Sequence, residues 1–245
     1  MSQNELYNIL SSFLKEIEPS QKWYHLFEDI QNNNKIKICY TNNPEEYNTS
    51  EYRDGILYLE LNGNTHDIKV LCHEVIHYIV KENYDYKEYH SSLEELPSIY
   101  YEKKAIDYLK KFSIKKDEID ALLSIREKTL KNNYSVMTEL LIFLENQNRK
   151  DLTENEIRGI IKKLYPKYDK REENKVIEED TLLLMKYRED VEFYFEYLIS
   201  DYLSDKIMDL MDDDEIMVDI TNNLKNIKLE QVLERMNDSK KKVKR

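Results

Sequence analysis

Residues 70–80 read VLCHEVIHYIV, an apolar run that contains the pattern His-Glu-x-x-His. On a helix, His73 and His77 lie one turn apart on the same face, because residues four positions apart are neighbours on a helix surface. Two neutral imidazoles at that spacing can share one divalent cation, and zinc is the usual ion for such ligands. Glu74 lies beside this face, where its carboxylate can take a proton from a metal-bound water. The stretch therefore predicts a helix that carries one zinc ion and a general base.

The composition indicates a chain built mainly from helices. Only 3 of the 245 residues are Gly and 4 are Pro, while 35% are charged, which is typical of long helices with few tight turns. The formal net charge of −12 argues against nucleic acid as a main partner, because a polyanion would be repelled. Residues 240–245, KKKVKR, run against this trend. We interpret them as a solvated tail, with a targeting or polyanion-binding role as the alternative.

The sequence shows neither an N-terminal signal peptide nor a membrane-spanning segment. Residues 1–20 are polar and acidic and have none of the apolar core of a signal peptide. No apolar run reaches the ~20 residues that span a bilayer. The two cysteines, Cys39 and Cys72, make no disulfide framework, and we expect both to be small buried side chains. The expected location is the cytoplasm, without a membrane partner.

The elements before the zinc helix can be predicted from periodicity. They are helices at 4–18 and 22–30, strands at 35–40 and 56–61, and a polar loop at 41–54 between the strands. The zinc helix itself is predicted at about 66–81, with Thr65 as its N-cap. We expect the strand at 56–61 to be an edge strand. An edge strand beside a zinc site can pair with an extended peptide and bring a carbonyl to the metal.

The chain after the zinc helix is predicted to be helical throughout. A helix ending near residue 112 follows a polar connection at 83–90. Further helical patterns occupy 116–131, 134–147, 153–165, 175–209 and 228–240. We therefore predict a metal-binding core at 1–115 and a helical region at 116–245 that packs on it and contributes residues to the substrate cleft. The two regions could also form one continuous domain.

The third zinc ligand is expected to be a glutamate. Catalytic zinc usually has three protein ligands and keeps a fourth position for water. No histidine follows closely after His77, so the next predicted helix is the natural source of the ligand. Glu95 and Glu102 are both feasible, and their spacing of seven residues places them on the same face of that helix. The residues alone leave the choice between them open.

A resemblance to a known family bears on this choice. The run Glu95-Leu96-Pro97-Ser98, followed by Glu102, resembles the Glu-x-Pro-Ser stretch of the thimet oligopeptidase and oligoendopeptidase F metallopeptidases. The resemblance implies that Glu95 is the third ligand and that Glu102 supports the ligands without binding the metal. Residues 194–198, YFEYL, resemble the tyrosine-rich helix that closes over the substrate in this family. The implied fold is a predominantly α-helical α+β fold with a zincin-like core.

The chain departs from the family pattern at several positions. It is much shorter, its glutamate follows the HExxH motif sooner, Ile76 replaces a Gly, and no histidine follows His90. A second resemblance is to compact zinc proteases that cleave anti-repressors. It is carried by a strand followed by HExxH and by Glu102-Lys103-Lys104-Ala105. That resemblance implies Glu102 as the ligand.

These observations predict a zinc metallopeptidase of the glutamate-ligand (gluzincin) class that acts on a peptide or protein substrate. Glu74 is the expected base, and a tyrosine hydroxyl is expected to stabilise the oxyanion, with Tyr197 the first candidate and Tyr194 the second. Two alternatives stay open. One is a regulatory protease that cuts a single protein partner. The other is a catalytically idle zinc protein that binds a partner.

Overall fold

The computed structural model describes residues 1–40, 50–82, 93–112, 116–119, 192–210 and 215–243, with a few single positions between 153 and 159. The side chains of 192–198, 210, 215, 225 and 237–243 lie outside this description. Within the described residues, no helix combines the length and the apolar character that crossing a bilayer requires.

The described part of the chain is mostly helical, with a small three-stranded sheet. The helices, numbered here in chain order, are α1 (Gln3–Ile17), α2 (Lys22–Asn32), α3 (Asp67–Glu82), α4 (Glu95–Tyr108), α5 (Glu192–Leu210), α6 (Glu215–Asn222) and α7 (Leu229–Val243). The strands are β1 (Ile36–Tyr40), β2 (Glu51–Arg53) and β3 (Ile56–Leu61). Short 3-10 helices, Leu109–Lys111 and Leu224–Asn226, follow α4 and α6. The predicted α+β class is confirmed at this level.

Helix α1 lies within one residue of its predicted bounds, and its start is fixed by a pair of hydrogen bonds. The Ser2 side chain accepts a hydrogen bond from the Glu5 backbone N–H, and the Glu5 carboxylate accepts one from the Ser2 N–H at 2.7 Å. This reciprocal pair satisfies N–H groups that a helix start otherwise leaves open. The apolar face of α1 is buried against α2 and α3, as the spacing of its apolar residues predicted.

The strand that precedes α3 is the central strand of the sheet, not an edge. The strand order is β1-β3-β2, with β1 parallel and β2 antiparallel to β3. Arg53 pairs with Ile56 across the two-residue turn Asp54-Gly55, and both turn residues have positive φ, 53° and 77°. That conformation suits a tight hairpin. The edge-strand prediction was wrong because this hairpin folds β2, from within the predicted loop at 41–54, onto β3.

The connection from β3 to α3 is organised by Asp67 rather than by Thr65. The Asp67 carboxylate accepts N–H bonds from Asn62 at 2.8 Å, Gly63 at 2.8 Å and Asn64 at 3.1 Å. The Thr65 hydroxyl instead donates to Glu118, so its predicted capping role was wrong. Because Asp67 is the first residue of α3 and buried, these bonds fix where the helix starts and which of its faces turns inward.

Helix α4 is enclosed by other helices and is buried over most of its length. It packs mainly against α3 and α5, and also touches α1 and α6. Lys103 is a buried cation on this helix, held on α5 by Asp205 at 2.9 Å together with Asp201 and Ser204. The two-region division at residue 115 stays a prediction, although α5 and α6 of the second region pack directly on α4 of the first.

One smaller prediction was wrong and one helix was not predicted, and each outcome has a local cause. Cys72 is buried as expected, but Cys39 is exposed because it shares the outer face of β1 with the exposed Lys37. Helix α6 was not predicted, since the acidic run before it interrupts the apolar periodicity that would indicate a helix.

Candidate metal centre

Helices α3 and α4 bring three of the predicted ligands together. The Nε2 atoms of His73 and His77 are 3.1 Å apart. Glu95 Oε2, from the first turn of α4, lies 3.2 Å from Nε2 of His73 and 3.4 Å from Nε2 of His77. The three atoms thus form a nearly equilateral triangle, and among the described residues this is the group whose ligand atoms converge closely enough to hold a metal ion.

The triangle has the dimensions of one face of a zinc coordination tetrahedron. With ligands at about 2.0–2.1 Å in tetrahedral geometry, neighbouring ligand atoms are separated by about 3.3–3.4 Å. The observed 3.1, 3.2 and 3.4 Å lie close to that spacing. In addition, Glu95 Oε2 is fully buried and receives no well-aligned hydrogen bond from a described residue, although both imidazoles lie close to it. Such burial is costly for a carboxylate oxygen unless a cation compensates it. The donor set therefore fits a divalent cation such as zinc.

The two glutamates contact different atoms of the same imidazole. Glu102 Oε2 lies 3.2 Å from Nδ1 of His73, whereas Glu95 faces Nε2. The other Glu102 oxygen, Oε1, lies 3.1 Å from the ammonium nitrogen of Lys69. Nδ1 and Nε2 point away from each other. Glu102 therefore contacts the nitrogen that faces away from the candidate metal position, whereas Glu95 contacts the nitrogen that faces it.

Charges within this cluster shift one another's pKa values. Burial opposes the charged form of His73, but the Glu102 and Glu95 carboxylates outweigh burial and raise the pKa of His73 to about 10. Burial also opposes ionisation of Glu95, yet the two imidazoles hold its pKa well below the usual range. For Glu102, burial is outweighed by Lys69 and His73, so its pKa is lowered as well. A cation that binds Nε2 of His73 must therefore displace a proton, and its affinity falls as the pH is lowered.

Glu74 provides a buried carboxylate beside the ligands. Its exposed fraction is 8%, and no hydrogen bond from a described residue reaches its carboxylate. Burial raises the pKa of Glu74, and the neighbouring His73 partly opposes that shift. A raised pKa brings a carboxylate closer to the range in which a general base works best.

The two candidate tyrosines lie on α5. Tyr194 and Tyr197 are within its first turns, and their side chains belong to the part of α5 outside the described structure, so their placement relative to the three ligands stays a prediction.

Two features near the centre were not identified from the sequence. Lys69 lies one helical turn before His73. Its position on the same helix face as the two histidines could have identified it as a residue near the metal centre. Strand β2 packs against α3 through Tyr52 and Tyr78, whose rings are 5.5 Å apart. This second feature had no clear signal, because three mostly polar residues are too short for a recognisable alternation.

Comparison with known proteins gives a structural match but no sequence match. No protein-family profile matches the chain, and no curated protein matches its sequence. Among solved structures, the crystal structure of a Bacillus anthracis str. Ames protein assigned as an oligoendopeptidase F matches with a TM-score of 0.56 and 15% sequence identity. The match covers 97% of this chain and 42% of that protein, so the chain spans less than half of its length. At this identity the likeness concerns the fold alone, and as a fold it agrees with the family resemblance.

Proposed function

We propose that this protein is a zinc-dependent peptidase. Its proposed zinc ligands are His73, His77 and Glu95, and its proposed general base is Glu74. The observation that carries the proposal is the triangle of Nε2, Nε2 and Oε2 atoms at 3.1–3.4 Å with a buried carboxylate next to it in the chain. A metal site with only a structural role needs no such base.

Glu95 is preferred over Glu102 as the third ligand. Glu95 Oε2 faces both Nε2 atoms, while Glu102 already has each of its oxygens next to a cationic or donor group, Lys69 and His73. This difference favours the oligopeptidase-like arrangement over that of the compact proteases. It also leaves Glu102 the separate role of orienting the His73 ring.

The proposed reaction divides the work between the metal and the protein. Bound zinc would supply Lewis acidity toward the scissile carbonyl and the attacking water. Glu74 takes the proton of that water as it attacks and then passes the proton to the leaving amine. The raised pKa of Glu74 favours the first transfer, and its burial excludes bulk water that would compete for the proton.

The peptide substrate is proposed to align along β2. Strand β3 is flanked by β1 and β2, but no described strand pairs with the outer edge of β2. Tyr52 of β2 packs on Tyr78 of α3, and Tyr78 directly follows His77. An extended peptide on this edge would run beside the metal ligands, with its register set by backbone hydrogen bonds.

The proposal is tested by metal analysis and a peptide-library digest of the wild-type protein. We expect about one zinc per chain, and cleavage of many short peptides that stops when a chelator removes the zinc. Zinc without any cleavage would instead support an idle zinc protein that binds a partner. Cleavage confined to one site in one protein would support the regulatory protease. Absence of zinc binding would refute the proposal.

Oxyanion stabilisation by Tyr197 is a separate prediction. Tyr197→Phe removes only the hydroxyl, so we expect kcat to fall by about 10²-fold while zinc content stays unchanged. Tyr202→Phe, on the same helix, is the matched control and should retain activity. Tyr194→Phe tests the second candidate. Full activity of both single variants and of their double variant would refute a catalytic role for either tyrosine.

A further inference from the structure

We infer that Lys69 is a positioning residue that holds Glu102 against His73 and thereby strengthens zinc binding. The inference rests on the proposed zinc site and adds a residue to it that neither resemblance implies. The contacts that carry it form a continuous chain. Lys69 Nζ lies 3.1 Å from Glu102 Oε1, and Glu102 Oε2 lies 3.2 Å from His73 Nδ1.

The placement of Lys69 lets its ammonium group hold one oxygen of the Glu102 carboxylate in a fixed position. Lys69 and His73 are one turn apart on the same stripe of α3, so their donor groups face α4 side by side. Each takes one oxygen of the carboxylate, which fixes both the position and the rotation of the group. Without Lys69, the carboxylate could turn about its terminal bond, a broad and soft torsion, and lose its alignment with Nδ1.

The position of Glu102 determines which ring nitrogen of His73 is available to bind a metal ion. A carboxylate at Nδ1 keeps the ring proton on that nitrogen, so that Nε2 is the atom left to bind a cation. Among the described residues, none donates to or accepts from Nδ1 of His77, so Glu102 is the carboxylate in this part of the structure that supports a histidine ligand through its second nitrogen. The orientation of the His73 ring therefore depends on Glu102, and so on Lys69.

Lys69 also makes the buried charge of Glu102 tolerable. The Glu102 side chain is only 9% exposed, whereas that of Lys69 is 34% exposed. Taking a carboxylate out of water is costly unless a cation compensates it. The partly exposed ammonium of Lys69 supplies that charge without being fully desolvated itself.

The test measures the zinc dissociation constant by chelator competition. In Lys69→Met the stem remains and the charge is lost, and we expect about 10-fold weaker zinc binding, at the lower end of the range for groups that orient metal ligands. Lys69→Arg keeps the charge and the donors, so its affinity should return to within roughly 3-fold of wild type. Lys110→Met is the matched control, because Lys110 lies in the 3-10 helix after α4 and pairs with Asp107 at 2.8 Å, with both side chains exposed. The zinc affinity of this variant should not change.

A double-mutant cycle separates positioning through Glu102 from a general effect of charge. In a Glu102→Gln background, the further change Lys69→Met should add little, because the group that Lys69 positions is already altered. An equal loss in both backgrounds would refute the inference, as would wild-type affinity of Lys69→Met. Wild-type protein that binds no zinc would refute the proposed function instead. If Lys69→Met does not fold by circular dichroism, Lys69→Gln serves the same cycle.

Discussion

Glu74→Gln is expected to lower kcat by about 10²–10⁴-fold, the range typical of a lost general base, while zinc content and fold stay as in wild type. Glutamine has the shape of glutamate, but its amide cannot take up the proton of the attacking water. The Glu74 carboxylate is not among the three atoms that converge at 3.1–3.4 Å, so its replacement leaves the proposed ligands intact.

Peptide hydrolysis and metal content are measured on the same preparation of this variant. Glu82→Gln makes the identical substitution at the exposed end of α3 and should retain full activity. If Glu74→Gln keeps activity within a few-fold of wild type, another group must serve as the base. Loss of zinc from Glu74→Gln would mean that Glu74 acts on the metal site itself.

Glu95→Ala is expected to release the zinc, whereas Glu102→Ala should weaken zinc binding only by about 10–100-fold. The difference follows from the atoms that the two carboxylates face. Glu95 closes the triangle with both Nε2 atoms, while Glu102 contacts Nδ1 on the opposite edge of His73. Metal content after dialysis and chelator competition together report both effects.

Glu94→Ala is the matched control for this pair of variants. Glu94 precedes Glu95 in the chain but lies 3.8 Å from Lys81, so its loss should leave the zinc in place. The opposite order, with Glu102→Ala losing zinc and Glu95→Ala retaining it, would favour the arrangement of the compact anti-repressor-cleaving proteases.

Local sequence patterns predicted most of the described helices and the approach of His73 and His77, whereas the predicted helices at 116–131, 134–147 and 153–165 lie almost wholly outside the described residues. The apolar spacing of α1 and α3 and the alternation in β3 depend on nearest neighbours along the chain, so they can be recognised without the fold. The two histidines share one stripe of a single helix, and that stripe already determines their separation.

Features that depend on contacts distant in the chain could not be predicted in the same way. The central position of β3 is set by the β2 hairpin, whose three-residue strand is too short to show periodicity. The separate contacts of Glu95 and Glu102 depend on how α4 rotates against α3. The residues alone left that rotation open, and only the family resemblance favoured Glu95.

The burial of the candidate ligands has a consequence for the rate at which a metal ion could exchange. The side chains of His73, His77 and Glu95 are only 14%, 11% and 9% exposed, and they belong to two helices that pack on each other. A substrate carbonyl can reach an ion there through its fourth coordination position, but complete release also requires the ligands on α3 and α4 to part from it, and such local openings are governed by the stability of the surrounding packing. Ion release would then be timed by the opening of a helix pair, whereas substrate binding would not require that opening.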